Sequence, residues 1–189
     1  NDAPSLAGIT VNGTEDTTYT FTDSTFTGSV YSDLENSALV SLRVETLPTS
    51  GTLKLSGTPV TASQVIIAAD LANLSYVPAA NENGPKTFTV TVSDGVSSSS
   101  VATVTISLVS VNDTPTLTSG STVTYLEKGA GVPIDPVLTV ADVDDVSLTS
   151  ATVSIESPVT GDLLSLGTQD GINAAYDATT GILSLTGSA

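Results

Sequence analysis

The stretch "KTFTVTVSDG", Lys86 to Gly95, sets Phe88, Val90 and Val92 on one side of an extended chain and Thr87, Thr89 and Thr91 on the other, then turns at Asp94-Gly95. Side chains alternate across a strand, so a period of two marks a strand with one buried and one wet face. "VATVTISLVSV", Val101 to Val111, repeats the pattern with Val104, Ile106 and Leu108 against Thr103, Thr105 and Ser107. The two runs are expected to pair as an antiparallel hairpin at the end of a β-sandwich.

Working towards the N-terminus, "TTYTFT" (17–22), "LVSLRVET" (39–46), "GTLKLSG" (51–57) and "LSYVP" (74–78) are further short strands, punctuated by Gly, Pro, Asn and Asp. About seven strands in about 100 residues is an immunoglobulin-like count. "ASQVIIAADLANL" lacks alternation, and a helical turn is expected at 68–73.

Composition narrows the chemistry. The 189 residues hold four Lys+Arg against 20 Asp+Glu, a net charge of -16, and no Cys, His, Met or Trp. Nucleic acid is excluded as a partner because phosphate contacts need a basic face; cations are favoured. Thiolate and imidazole metal sites, Ser-His and Cys-His nucleophiles and disulfides are all excluded, which leaves oxygen chemistry. No apolar run approaches the roughly 20 residues of a membrane span, so this segment is expected to be soluble and not inserted. It shows no signal peptide, so that of an exported protein would lie outside it.

The chain also repeats itself. "NDAP" (1–4) recurs as "NDTP" (112–115) 111 positions later, and Glu15 in "VNGTED" faces Glu127 in "TYLEKG" at 112. "SDLEN" (32–36) faces "ADVDD" (141–145) at 109, and "GTLKLSGT" (51–58) faces "GILSLTGS" (181–188) at 130. Order is kept, with an extra segment of about 20 residues before the last pair. Two homologous domains are expected, 1–111 and 112–189. The second carries the insertion and has no counterpart of residues 87–109, so it should be incomplete at its C-terminus. Open edges around "GILSLTG" are the expected result, with a tendency to pair edge to edge.

On "SVNDTP", "GTLKLSG", "DLANLSYVP" and "VSDG", in that order, the first domain resembles the cadherin-like repeats of large bacterial surface adhesins; "NDTP", "ADVDD" and "GILSLTG" extend the resemblance over nearly the whole chain. It implies two tandem immunoglobulin/cadherin-like Greek-key sandwiches, all-β, in an extracellular or cell-surface protein. It also implies Ca²⁺ between repeats, held by a glutamate near the start of one module, acids before its late strands, the N-D linker, and an Asp-x-Asp of the next module. Calcium suits such a set because it takes six to eight hard oxygen ligands in flexible geometry. The resemblance points to Glu15, Glu82, Asn112, Asp113, Asp142 and Asp144, and by the same logic to a second, partial set of Asn1, Asp2, Asp33, Glu35 and Asp94. Ser110-Val111 before the N-D word and Glu35 in place of an Asp depart from the vertebrate cadherin pattern, and would weaken binding or reduce the number of ions.

Each motif also has a plain structural reading. Asn and Asp before Pro start turns by bonding their own backbone, Asp94-Gly95 is a good hairpin turn, and Asp145, Asp162, Asp170 and Asp177 read as loop acids. Paired carboxylates can hydrolyse glycosides, but a cleft with aromatic platforms is then needed. The chain has only five Tyr and three Phe, so no enzyme is expected. The alternative to a calcium-stiffened adhesive module is a non-catalytic polysaccharide-binding module, which needs a row of exposed aromatics. Tyr19, Phe21, Phe26, Tyr31, Tyr76, Phe88, Tyr125 and Tyr176 mostly fall at inward strand positions. Expected partners are neighbouring repeats, and beyond them a cell-surface protein, a polysaccharide or like molecules.

Overall fold

A computed structural model describes residues 1–188. The chain forms two compact units, Asn1–Val111 and Asn112–Ala189.

The first unit runs β1 (Ser5–Leu6), β2 (Ile9–Thr14), β3 (Tyr19–Thr20), α1 (Asp23–Phe26), a 3₁₀ turn (Gly28–Val30), β4 (Tyr31–Ser32), β5 (Ser41–Thr46), β6 (Thr52–Leu55), β7 (Thr58–Pro59), β8 (Val65–Ile67), a second 3₁₀ turn (Ala68–Asn73), β9 (Leu74–Val77), β10 (Gly84–Ser93) and β11 (Ala102–Val109). It is an immunoglobulin-like β-sandwich, as the strand count anticipated. One sheet has the order β2-β11-β10-β5-β8, the other β3-β9-β6-β7, and β1 pairs with β4 at the edge.

Strand β10 is where the alternation does most. Phe88, Val90 and Val92 are almost fully buried, and so are Val104 and Ile106 of β11 and Leu42 and Val44 of β5. Leu53, Leu74 and Tyr76 meet them from the other sheet. The β10–β11 hairpin forms as expected, with Phe88 opposite Val104, but it lies in the middle of its sheet and not at the end. The reason is that β2 adds to β11 in parallel and β5 to β10 antiparallel, so both outer edges of the hairpin are used. "TTYTFT" yields only the two residues of β3. Its Phe21 turns into the core, 5.0 Å from Tyr19, 5.5 Å from Phe26 and 6.0 Å from Phe88 between ring centroids, and the Thr22 N–H bonds to Thr25 Oγ1 at 3.2 Å to open α1.

The Gly that opens "GTLKLSG" has a steric reason. Gly51 adopts φ +68°, and a Cβ there would overlap the Tyr76 hydroxyl and come within 2.7 Å of the Val77 carbonyl. That hydroxyl donates to the Ser50 carbonyl at 3.0 Å and fixes the β5–β6 turn against β9.

The second unit contains β12 (Thr116–Thr118), β13 (Thr139–Ala141), β14 (Ser150–Ser154), β15 (Ile172–Asp177) and β16 (Ile182–Gly187). Its register reproduces the internal repeat. Thr116 pairs with Ala141 and Leu117 with Val140, as Ser5 pairs with Ser32 and Leu6 with Tyr31. The resemblance stops after the third strand, β14. "GILSLTG" is not an open edge: as β16 it is the central strand of β14-β16-β15. The extra segment supplies β15, which takes one side of β16, and β14 takes the other. Strand β16 thus flanks β14 as β8 flanks β5, so its sequence likeness to β6 does not carry into pairing. "TYLEKG" around Glu127 is not a strand either, although its counterpart contributes to β2. Strand β2 exists by pairing with β11, and no such partner occurs among the described residues of this unit. Leu183 is its one buried large hydrophobic residue there.

Asp135 organises the long β12–β13 connection. Its Oδ1 accepts from Ser121 Oγ (2.7 Å) and Val137 N (3.0 Å), its Oδ2 from Ser119 Oγ (2.8 Å) and Gly120 N (3.0 Å). The Ser121 hydroxyl first, then the Val137 N–H, hold the carboxyl well below the usual range. A lowered folded-state value contributes stability above the unfolded value of about 3.9, lost as pH falls through the folded one. Amide-exchange protection at Gly120 and Val137 should therefore fall only in strong acid, and Asp135→Asn should abolish that step. In the first unit, Gly51→Ala should cost about 2–4 kcal/mol by denaturant titration, since overlap adds to the positive-φ strain. Gly57→Ala, at φ +81° with open space around it, should cost about 1 kcal/mol. Equal costs at the two sites would remove the steric argument.

Candidate functional site

The first unit gathers the partial set of acids at one end. Asn1 Nδ2 donates to Asp94 Oδ2 at 2.8 Å and to the Asp2 carbonyl at 2.8 Å. The Asp2 N–H bonds to both oxygens of Glu35, at 3.2 and 3.1 Å. Asp33 Oδ1 accepts from Ser37 N at 2.7 Å, while its buried Oδ2 has no hydrogen-bond partner among the described residues. Asp94 closes the turn after β10 by accepting from Val96 N (2.8 Å) and Ser97 N (2.7 Å) through Oδ1. The Ser97 N–H, then the Asn1 amide and the Val96 N–H, hold the Asp94 carboxyl below its ordinary value.

Tyr31 is the residue that sequence reasoning missed here. Its hydroxyl donates to the Ser37 carbonyl at 3.1 Å. Burial, then the charges of Asp33 and Asp94, push the phenol up. Its position directly before "SDLE" was the available signal.

The second unit repeats this construction. Asn112 Nδ2 donates to the Asp113 carbonyl at 2.7 Å, and the Asp113 N–H to Asp144 Oδ2 at 2.5 Å. Asp142 Oδ1 accepts from Asp144 N and Asp145 N, both at 2.9 Å. In each repeat the N-D word folds its Asn onto the next carbonyl, and its Asp N–H caps the second acid of the Asp-x-[Asp/Glu] loop. The structure thus joins Asn1, Asp2, Asp33, Glu35 and Asp94 in one unit and Asn112, Asp113, Asp142 and Asp144 in the other.

Glu15 and Glu82 have different partners within the first unit. Glu15 is 2% exposed; its N–H bonds to the Val109 carbonyl at 3.0 Å, and Oε1 accepts from Val111 N at 2.7 Å. Its Oε2 is buried without a hydrogen-bond partner among the described residues. Glu82 pairs with Lys86 Nζ at 2.9 Å, and the neighbouring Ser50 hydroxyl, then Lys86, hold its carboxyl below the ordinary value. Asp16, not singled out from sequence, accepts from Asn81 N at 2.9 Å.

Chemically, these are all-oxygen clusters with several carboxylates per loop set, an arrangement suited to a hard cation. The unpartnered buried oxygens of Glu15 and Asp33 fit such an ion. Among the eight aromatic residues, only Tyr125 is largely exposed.

A family model described as "Bacterial Ig domain" matches residues 1–107, and the chain belongs to that family. No curated protein matches the sequence. Bacterial Ig-like domains are structural modules, generally non-catalytic, typical of surface proteins.

The two caps should be independent of each other. Glu35→Ala should speed exchange of the Asp2 amide, and Asp144→Ala that of the Asp113 amide, each by about five- to tenfold, the equivalent of about 1 kcal/mol for one hydrogen bond. Neither should alter the amides of β10 or β16. No change at Asp2 or Asp113 would mean that water satisfies them equally well.

Proposed function

We propose that the chain is a calcium-binding structural and adhesive repeat segment of an extracellular bacterial surface protein, with calcium rigidifying the junction between repeats. The observation that carries this reading is the double occurrence of one hydrogen-bonded arrangement, N-D with Asp-x-[Asp/Glu], at the start of each unit. A turn alone would not need an acid from a loop about 30 residues away to accept from the linker Asp N–H in both units. Asn112, Asp113, Asp142 and Asp144 would hold the ion, with Glu15 added by the cadherin-like resemblance; Asn1, Asp2, Asp33, Glu35 and Asp94 would form the corresponding set of the first repeat. Glu82 is the weakest member because Lys86 already neutralises it.

Calcium supplies a dense positive charge that accepts many oxygens at once. Two like charges 4 Å apart repel by about 1 kcal/mol even in water, so gathered carboxylates are loosened without a cation. An ion that binds only the ordered arrangement stabilises it by mass action. The module's work would then be mechanical, setting reach and stiffness for adhesion to a cell-surface protein, a polysaccharide or like molecules. The inward placement of most aromatics leaves the polysaccharide-module alternative without its main requirement.

Calorimetric titration of the whole chain with Ca²⁺ tests the reading. Saturable heat is expected with affinity of roughly 0.1–1 mM, as in extracellular modules, and Asp142→Ala with Asp144→Ala should remove the part due to the second unit. Nitrogen relaxation should report coupled tumbling of the two units in calcium and independent tumbling in chelator. If wild-type chain gives no heat and identical relaxation in both, the N-D word is a turn and the calcium reading fails.

A further inference from the structure

Strand β2 lies near the start of the first unit and β11 at its end, and the two pair in parallel over six residues, from Ile9 opposite Val104 to Thr14 opposite Val109. Tension along the chain draws β2 towards its own N-terminus and β11 towards its C-terminus. Parallel neighbours pulled in this way slide past each other, so their evenly spaced rungs carry the load together instead of opening one at a time. Upstream, β1 is the weaker link, joined to β4 by two residue pairs.

The vulnerable point of such a ladder is the end where the loaded strand departs. Leu108 is the last buried side chain before the linker, and Val109 and Val111 are more than half exposed, so burial does not hold the departing chain. Glu15 does. Its N–H donates to the Val109 carbonyl just past β2, and its carboxylate reaches further along to accept from the Val111 N–H at 2.7 Å. The side chain thereby extends the ladder beyond the last backbone rung, to the residue at which the unit ends. A carboxylate only 2% exposed is costly to bury, and an apolar residue would serve packing alone as well. What the carboxylate adds is a bond to a charged acceptor, about twice as strong as a neutral one.

We infer that Glu15 is a load-bearing latch: under tension, its carboxylate pins the Val111 N–H to the end of β2 and keeps the β2–β11 ladder from peeling at its exit. The inference rests on the mechanical part of the proposed function and needs no calcium.

Force spectroscopy on the whole chain in chelator tests it, with handles at the two ends in one arm. In a second arm the load runs from the N-terminal handle to Val96→Cys, an exposed site in a chain with no cysteine of its own, so that β11 lies outside the loaded path. For Glu15→Ala, the first unit, recognised by its greater length, should unfold about tenfold or more faster at fixed force in the end-to-end arm, and show little change in the second. Val111→Pro, which removes the N–H and leaves Glu15 in place, should reproduce that result, and it serves should Glu15→Ala fail to fold. Glu15→Gln, which keeps an acceptor oxygen, should recover most of the wild-type lifetime. Equal acceleration in both arms would make Glu15 a contributor to ordinary stability and overturn the latch. An unchanged end-to-end lifetime would also overturn it, since the bond would then break before the ladder is loaded. Because every arm is run without calcium, a failed calcium titration leaves these outcomes untouched, and a failed latch leaves the titration untouched.

Discussion

The first unit depends on one constraint: β10 must offer hydrogen bonds on both edges while only one of its faces may be wet. Buried backbone groups must be paired, and β11 and β5 pair them. Because successive side chains point to opposite faces, that double pairing drives Phe88, Val90 and Val92 inward together, each worth roughly 1.5–3 kcal/mol when fully buried. A one-residue slip would present Thr87, Thr89 and Thr91 to the core instead. The other elements adjust to this layer. Phe21 and Phe26 close over Phe88, and Tyr76 faces the layer from the second sheet with its hydroxyl tied to Ser50.

That layer also positions the acids. Asp94 stands one residue beyond β10 and Asp33 one beyond β4, so the strand ends fix the backbone positions of both acids. The linker word then locks on through backbone N–H groups. A carboxylate that accepts a backbone N–H stays charged and oriented, and a cation site needs both properties. The same economy explains why the arrangement recurs in the second unit: β12–β13 pairing and three local hydrogen bonds suffice to form it.

Much of this was legible in the sequence because it is local. Alternation located β10 and β11, the break in alternation located the 3₁₀ turn at Ala68–Asn73, and the spacing of N-D from Asp-x-[Asp/Glu] anticipated the acids that meet within each unit. Legibility failed where a partner decides. "GILSLTG" resembles β6 residue by residue, yet strand identity in a sheet is set by neighbours, and the extra segment changed them. Tyr31 carries no motif of its own, and the two charges that push its phenol up, Asp33 and Asp94, come from residues more than 60 positions apart. The Glu82–Lys86 ion pair was likewise not read from the sequence, since it forms across the start of β10.

By itself the sequence determined an all-β immunoglobulin-like chain with an internal repeat and oxygen-only chemistry, since pleat periodicity, turn residues and the absence of His and Cys act at the level of single residues and short words. Only the tertiary structure decided that the hairpin is central, that "GILSLTG" is flanked on both sides, and which acid accepts from which backbone N–H. Those outcomes rest on long-range pairing, where many registers satisfy the local pattern equally and the choice goes to the one that leaves the fewest buried polar groups unpaired and the most apolar surface covered.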